Sequence, residues 1–363
     1  MDSKRKVVVI CPYGIGNLVM AYPALKALRE GFPNVTIDYV SLLPATTSML
    51  SETSRFQGLF DGLHEIRMPV NPGTAIRSIR GVLSLRQKRY DLSILLFPTL
   101  SFHYNLLSFL IGARKRLGFR YPDDRISNLA WLNTLLLDVR EGIHDVEQNL
   151  GIIRLAGIPP LEDSVVSLAD GVSGVKRQPV IGFHTGCKRG YEYKQWDNDN
   201  FARVIEYLRA RAPAFRIRMF FGPDEVVKKE WFKERLGAEG IEYLSGLSLG
   251  KTCELISDCP IFVSNDSGLM HLAVFTGCEH VIAVAGPSDE RRTGPYHPGA
   301  RVVAADIPCR PCSHGYLLST RKLRCREKEP MRCLASVTPE MVIKEIGRAM
   351  DEYSSASSLR SIF

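Results

Sequence analysis

Apolar residues in this chain gather in short runs, each followed by a turn and then by a longer stretch with helical spacing. The first run, VVVIC from Val7 to Cys11, reads as a buried strand, the turn Pro12 to Asn17 (PYGIGN) follows, and Leu18 to Glu30 continues as an amphipathic helix. Val35 to Ser41 and Leu92 to Leu96 read as further strands, with a basic helix, Ile76 to Arg89, before the second. Ser101 to Leu110 reads as an apolar helix that ends at Gly112 and leads into ARKRLGFR. That helix fits either a membrane surface or a core with a solvated basic end. Asp145 to Ala156 is helical, and residues 161–179 are polar with Gly171, Gly174 and Pro179, the composition of a linker. The rhythm then restarts: strand Val180 to His184, a long loop TGCKRGYEYKQWDNDN, helix Phe201 to Ala212, strand Arg216 to Phe221 meeting GPDE, and helix Leu249 to Ser257. Strands alternating with helices in both halves predict two parallel-sheet domains with a ligand cleft between their carboxyl edges.

The most informative stretch is Ile261 to Pro287, IFVSNDSGLMHLAVFTGCEHVIAVAGP. Strand Ile261 to Val263 leads into Ser264, Asn265, Asp266, Ser267 and Gly268, then a short helix, then strand Val281 to Ala285. A turn of small and donor-rich residues at a helix start points unpaired N–H groups out of the sheet edge, where phosphates bind. Asp266 and His271 add a carboxylate and an imidazole, although a helix cap and a packed histidine would look the same. The first turn offers Gly14 and Gly16, which let backbone approach a ligand but also serve tight turns for steric reasons alone.

With 363 residues, 45% hydrophobic and 24% charged, the chain suits two globular domains. No apolar run reaches the length of a membrane span, and the N-terminus enters a strand without a signal-peptide core, so a cytoplasmic protein is expected. The net charge of +8 favours an anionic partner, while scattered basic residues and the absence of a nucleic-acid-binding signature argue against nucleic acid. Of nine cysteines, Cys11, Cys187, Cys253, Cys259 and Cys278 read as core thiols. Cys309, Cys312, Cys325 and Cys333 are spaced either for a closed structural Zn²⁺ or iron site or as four reduced thiols in a loop at 309–333.

These pieces in order resemble glycosyltransferase family 9, the ADP-heptose:lipopolysaccharide heptosyltransferases. The resemblance is carried by GIGNLVMAYPALKAL, HTG…YKQWDNDNFARVI, FGPDE, VSNDSGLMHLAVFTG with AVAGPSD, and SVTPEMVIKEI. It implies an α/β GT-B fold, two Rossmann-like parallel-sheet domains facing each other across a cleft. Residues 1–160 would bind the acceptor and 180–348 the nucleotide-sugar, with a tail at 349–363. It also implies inversion at the anomeric carbon without a catalytic metal or other required cofactor. Matched by position, Asp266 would hold sugar hydroxyls, Ser267 and Gly268 would cradle the pyrophosphate, and His271 would follow one helical turn on. Thr185 would join the donor site, Lys194 would neutralise the departing phosphate, and Glu225 would engage the nucleoside. Singly, Lys194 also reads as a solvated loop lysine and Glu225 as a helix-start carboxylate.

Asn17 departs from the family, which usually places an aspartate there as the base. An amide takes no proton at neutral pH, so Asn17 is left to orient the acceptor, beside Gly14 and Gly16, while another carboxylate or His103 supplies the base. The expected partners are ADP-heptose, an anionic glycan or glycolipid of the lipopolysaccharide core or envelope, and the inner-membrane surface, with peripheral attachment at its cytoplasmic face. Arg310, Arg321, Lys322, Arg324 and Arg326 would help hold an acidic acceptor. Transfer to a protein side chain, or a weakly catalytic nucleotide-sugar-binding relative, are the alternatives.

Overall fold

The computed structural model of the chain describes residues 5–11, 14–67, 71–122, 126–158, 178–312, 325 and 327–360, without the side chains of 126 and 356–360. They form two compact units, one ending at Ile158 and one beginning at Gln178, so nearly all of the expected linker lies outside the described residues.

The first unit runs β1 (Lys6–Ile10), α1 (Ile15–Gly31), β2 (Thr36–Ser41), α2 (Pro44–Glu52), β3 (Gly62–Glu65), α3 (Pro72–Gln87), β4 (Leu92–Leu95), α4 (Phe102–Ile111), β5 (Lys115–Arg120), β6 (Leu135–Asp138) and α5 (Asp145–Leu155). Its six strands are all parallel in the order β3-β2-β1-β4-β5-β6. The central strand β1 is an unbroken apolar run because helices cover both faces of the sheet. α1 begins at Ile15, earlier than the sequence suggests, because Gly14 turns the chain at φ 111°. Gly16 and Asn17 therefore sit in the first helical turn and not in the loop.

The second unit repeats the design with β7 (Val180–His184), α6 (Asn198–Arg211), β8 (Arg216–Phe221), α7 (Val226–Leu236), β9 (Ile241–Ser245), α8 (Leu249–Ser257), β10 (Ile261–Asn265), α9 (Gly268–Phe275), β11 (His280–Ala285), α10 (Glu290–Thr293), β12 (Ala300–Ala304), α11 (Arg332–Ala335) and α12 (Pro339–Arg360). Its six parallel strands run β12-β11-β10-β7-β8-β9, the same order counted within the unit. Where a tail was expected from residue 349, the chain is helical: α12 continues to Arg360, with Ala349 and Tyr353 buried and Tyr353 edge-on to Phe215. The serine-rich sequence hides this because only every third or fourth residue needs to be apolar.

The first sheet carries a buried carboxylate away from any expected site. Asp38 of β2 accepts from Tyr90 Oη at 2.5 Å and Lys88 Nζ at 2.6 Å, with His64 Nε2 at 3.5 Å. Burial opposes its charge, but these donors outweigh burial and hold the carboxyl below its ordinary range. Tyr90→Phe removes a hydrogen bond to a buried charge, so we expect it to lower unfolding stability by about 2 kcal/mol at neutral pH. Because the native carboxyl titrates below its unfolded value, the cost should vanish as acidification carries pH down through the native value. Denaturant melts of both proteins at several pH values read this directly.

Candidate functional site

In each sheet the chain reverses its winding between the first and fourth strands, β1 with β4 and β7 with β10, and ligands bind outside the carboxyl ends of such pairs. In the second unit that edge is fixed by one side chain. Asn265, fully buried at the end of β10, donates through Nδ2 to the Thr185 carbonyl at 2.8 Å and accepts through Oδ1 from the Trp196 N–H at 2.9 Å. Trp196 is buried although it follows a loop, and its indole N–H donates to the Val337 carbonyl at 2.9 Å. The loop bearing Lys194 is thereby held to the strand that precedes Asp266.

The consequence is an ion pair: Lys194 Nζ donates to Asp266 Oδ2 at 2.8 Å. Burial pushes the Asp266 carboxyl up, but the Lys194 ammonium overrides it and keeps the group below its ordinary range. Ser267 occupies the N-cap of α9 without capping it. Its hydroxyl instead lies 3.1 Å from Ser264 Oγ, and the first N–H groups from Gly268 onward have no side-chain cap. His271 is buried one turn on, within electrostatic reach of Asp266.

A second cluster adjoins the end of β7. Glu225 precedes α7 and accepts from the Gly222 N–H at 2.6 Å, and its carboxylate lies over Gly186 where a Cβ would be, so a side chain there would push it aside. Lys228 Nζ donates to the Thr185 carbonyl at 3.0 Å and to Gln195 Oε1 at 2.8 Å, and lies 3.8 Å from Glu225 Oε1. Burial lowers the Lys228 ammonium against the pull of Glu225, and burial likewise lowers His184, whose Nδ1 donates to the Phe220 carbonyl at 3.0 Å. Among the described residues, Thr185 Oγ1 and Glu225 Oε1 are buried without a hydrogen-bond partner. Buried polar atoms are rarely left so, which makes them natural contacts for a ligand. A cavity of about 580 Å³ opens beside them, bordered by Arg189, Gln195, Glu225, Lys228 and Trp231.

The expected donor residues Thr185, Lys194, Glu225, Asp266, Ser267, Gly268 and His271 all lie around this edge. The sequence reading missed Asn265, Gly186 and Lys228. Asn265 stands inside the quoted motif but needs its distant partners to show its role.

In the first unit, Gly14, Gly16 and Asn17 start α1, and His103 lies in the first turn of α4, so both helices rise from the adjacent strands β1 and β4. Burial lowers His103, and its ring centroid lies 4.1 Å from that of Tyr104 with the planes tilted by 40°. Thr99, just past β4, has its N–H bonded to Tyr121 Oη at 2.7 Å and its buried Oγ1 unpartnered among the described residues.

The four late cysteines are close enough to act on one another: after burial, the other three thiols push Cys312 up. The Cys312 thiol also donates to the Cys309 carbonyl at 2.9 Å, and Cys333 is buried in α11. Among the described residues no three metal-ligating side chains are placed to share one ion. Arg310 is committed to the Gly286 carbonyl at 2.6 Å and Glu290 at 2.8 Å, while Arg321, Lys322, Arg324 and Arg326 lie outside the described residues.

A model of glycosyltransferase family 9 (heptosyltransferase) matches residues 80–316. Lipooligosaccharide heptosyltransferase 2 of Haemophilus ducreyi is 24% identical, over 95% of this chain and 99% of its own. Lipopolysaccharide heptosyltransferase 2 of Escherichia coli K12 is 27% identical, over 82% and 87%. The solved structure of the E. coli ADP-heptose lipopolysaccharide heptosyltransferase II superposes with a TM-score of 0.70 at 22% identity, covering 96% of this chain and 99% of that one, which makes the fold GT-B.

Two outcomes follow from the geometry. Lys194→Met removes the counterion of a buried carboxylate, so the Asp266 carboxyl should rise above the ordinary value of about 3.9 in a carbon-detected NMR titration. Asn265→Ala strands one buried carbonyl and one buried N–H, and should cost about 2–4 kcal/mol in denaturant unfolding.

Proposed function

The chain belongs to glycosyltransferase family 9, the heptosyltransferases, and from that premise we propose that this glycosyltransferase moves a heptose from ADP-heptose to a lipopolysaccharide-core or related envelope glycan, inverting the anomeric carbon. The observation that carries this reading is the convergence, at one edge of the second unit, of two ammonium groups, an uncapped helix start and two orphaned polar atoms. A nucleoside diphosphate sugar answers each of them. Its phosphates suit Lys194 and the N–H groups of α9, and its hydroxyls suit Asp266, Glu225 and Thr185. In the reaction an acceptor hydroxyl oxygen bonds to the anomeric carbon, the bond to the diphosphate oxygen breaks, and the hydroxyl proton passes to a base. Lys194 and the helix start supply positive charge where the leaving diphosphate develops its own, a role that requires no metal ion.

Asn17 cannot take the proton. We assign it to His103, on the neighbouring helix at the same sheet edge, because burial keeps that imidazole neutral, the state a base needs. The acceptor would be lipid-linked and met at the cytoplasmic face of the inner membrane.

For the late cysteines we propose a structural Zn²⁺ or iron site held by Cys309, Cys312, Cys325 and Cys333. Burial first, and then the neighbouring sulfurs, disfavour the thiolate at Cys312 and Cys333, a cost that a bound cation offsets, and binding requires the thiols to draw closer than they lie. Elemental analysis of reduced protein checks it: bound metal supports the site, and folded, metal-free protein with nine titrating thiols removes it.

Calorimetry with ADP, UDP and GDP tests the donor. ADP should bind best, and Lys194→Ala should weaken it by about ten- to a hundredfold, the worth of a hydrogen bond to a charged group. Preference for UDP or GDP would discard heptose, and no binding by folded protein would remove the donor site. In transfer assays His103→Ala should lower kcat by about 10²–10⁴-fold with ADP affinity unchanged, while Asn17→Asp changes little. Wild-type activity should fall only as pH drops below the His103 value, itself under the usual ~6.5.

A further inference from the structure

α3 turns its apolar side chains the wrong way for a surface helix. Leu85 is its buried anchor and Val82 packs beside it, yet Ile76, Ile79 and Leu83 are 52%, 59% and 52% exposed. At about 100° per residue these three fall within one narrow arc at the middle of the outward face. Arg77 and Arg80 border that arc on one side and Arg86 on the other, and the helix contains no acidic residue. Arg86 is held by the Leu110 carbonyl at 2.9 Å, whereas Arg77 and Arg80 are exposed and have no ion pair or hydrogen bond from their side chains among the described residues. α4 packs against α3 and adds the exposed Phe102, Phe109 and Leu110.

We propose that this outer face of α3 is a docking surface for an anionic lipid bilayer. Three aliphatic side chains flanked by two unpaired arginines on one side, and by the tethered Arg86 on the other, match an interface whose headgroups are negative and whose interior is apolar, and no acidic group on the helix opposes it. The placement also suits the work of the protein. α3 follows β3 and runs back along the parallel sheet, so its first turns, with Ile76 and Ile79, start at the carboxyl edge. That edge also carries Asn17 and His103. A bilayer against these turns brings a membrane-anchored acceptor to the edge where its hydroxyl is needed. The inference deepens the reading of a lipid-linked acceptor but does not depend on which sugar is moved.

Co-sedimentation of the full chain with vesicles of phosphatidylcholine, alone or mixed with phosphatidylglycerol, tests it. The wild type should sediment with the mixed vesicles, lose them as salt rises, and ignore phosphatidylcholine alone. Arg77→Gln with Arg80→Gln should weaken binding by about 25-fold, roughly fivefold per arginine. Ile76→Ser, Ile79→Ser and Leu83→Ser together should weaken it at least about tenfold, with melting temperature and ADP titration unchanged. Vesicle binding equal to wild type in both variants, or no wild-type binding, overturns the proposal. So does a wild-type dimer in sedimentation equilibrium that the triple serine variant dissociates, since the face would then belong to a second copy. Because the readout is lipid and not ADP, failure of the donor reading leaves this result standing.

Discussion

The site in the second unit depends on the two hydrogen bonds of the Asn265 amide. Parallel strands β7 and β10 are neighbours in the sheet but distant in sequence, and beyond their last ladder bonds nothing regular sets the spacing of the loops that follow. One carboxamide, offering a donor and an acceptor in a fixed plane, spans that gap to the Thr185 carbonyl and the Trp196 N–H. Since all three partners are buried, water cannot replace a lost bond, and the geometry is enforced by the cost of leaving it unmade. Lys194 then reaches Asp266 because Trp196, two residues on, cannot move.

The charges around this edge follow a common logic. Asp266 and Lys194 neutralise each other, which makes the burial of the carboxylate tolerable. Glu225 and Lys228 do so less completely, at 3.8 Å with one carboxylate oxygen lacking a hydrogen bond. In the proposed donor site that open oxygen is where a ligand hydroxyl would bond. The glycine at 186 belongs to the same requirement, since any side chain there would displace Glu225 from the rim.

Much of this was legible in the sequence, for identifiable reasons. β1, β7, β10 and β11 are inner strands, covered on both faces, and so appear as largely apolar runs. β3, β6, β9 and β12 stand at or near sheet edges and are partly exposed, while β5 carries LysArg at its start and Arg at its end, which reads as a basic helix terminus. The strand–turn–helix around Asp266 was legible because its residues are contiguous, whereas Asn265 finds its partners 80 and 69 residues away. The boundary of α1 was misplaced because Gly14 makes the whole turn by its positive φ, leaving Gly16 free to be helical.

Net charge was the least specific of the sequence signals, and the structure divides it into parts with different meanings. Arg218 joins Glu242 and Asp258, Arg301 joins Glu345 and Glu352, and Arg29 joins Asp61 together with two carbonyls. These guanidinium groups tie elements within a unit, and their fields are largely cancelled by the partner carboxylates. Lys194 and Lys228 are held ready at a buried edge where low dielectric strengthens any interaction with phosphate. Arg77 and Arg80 are neither tied nor buried, and they flank apolar groups that gain nothing from water. The excess of positive charge therefore stands in two different settings: enclosed beside carboxylates at the carboxyl edge of the second unit, and exposed along the outer face of α3.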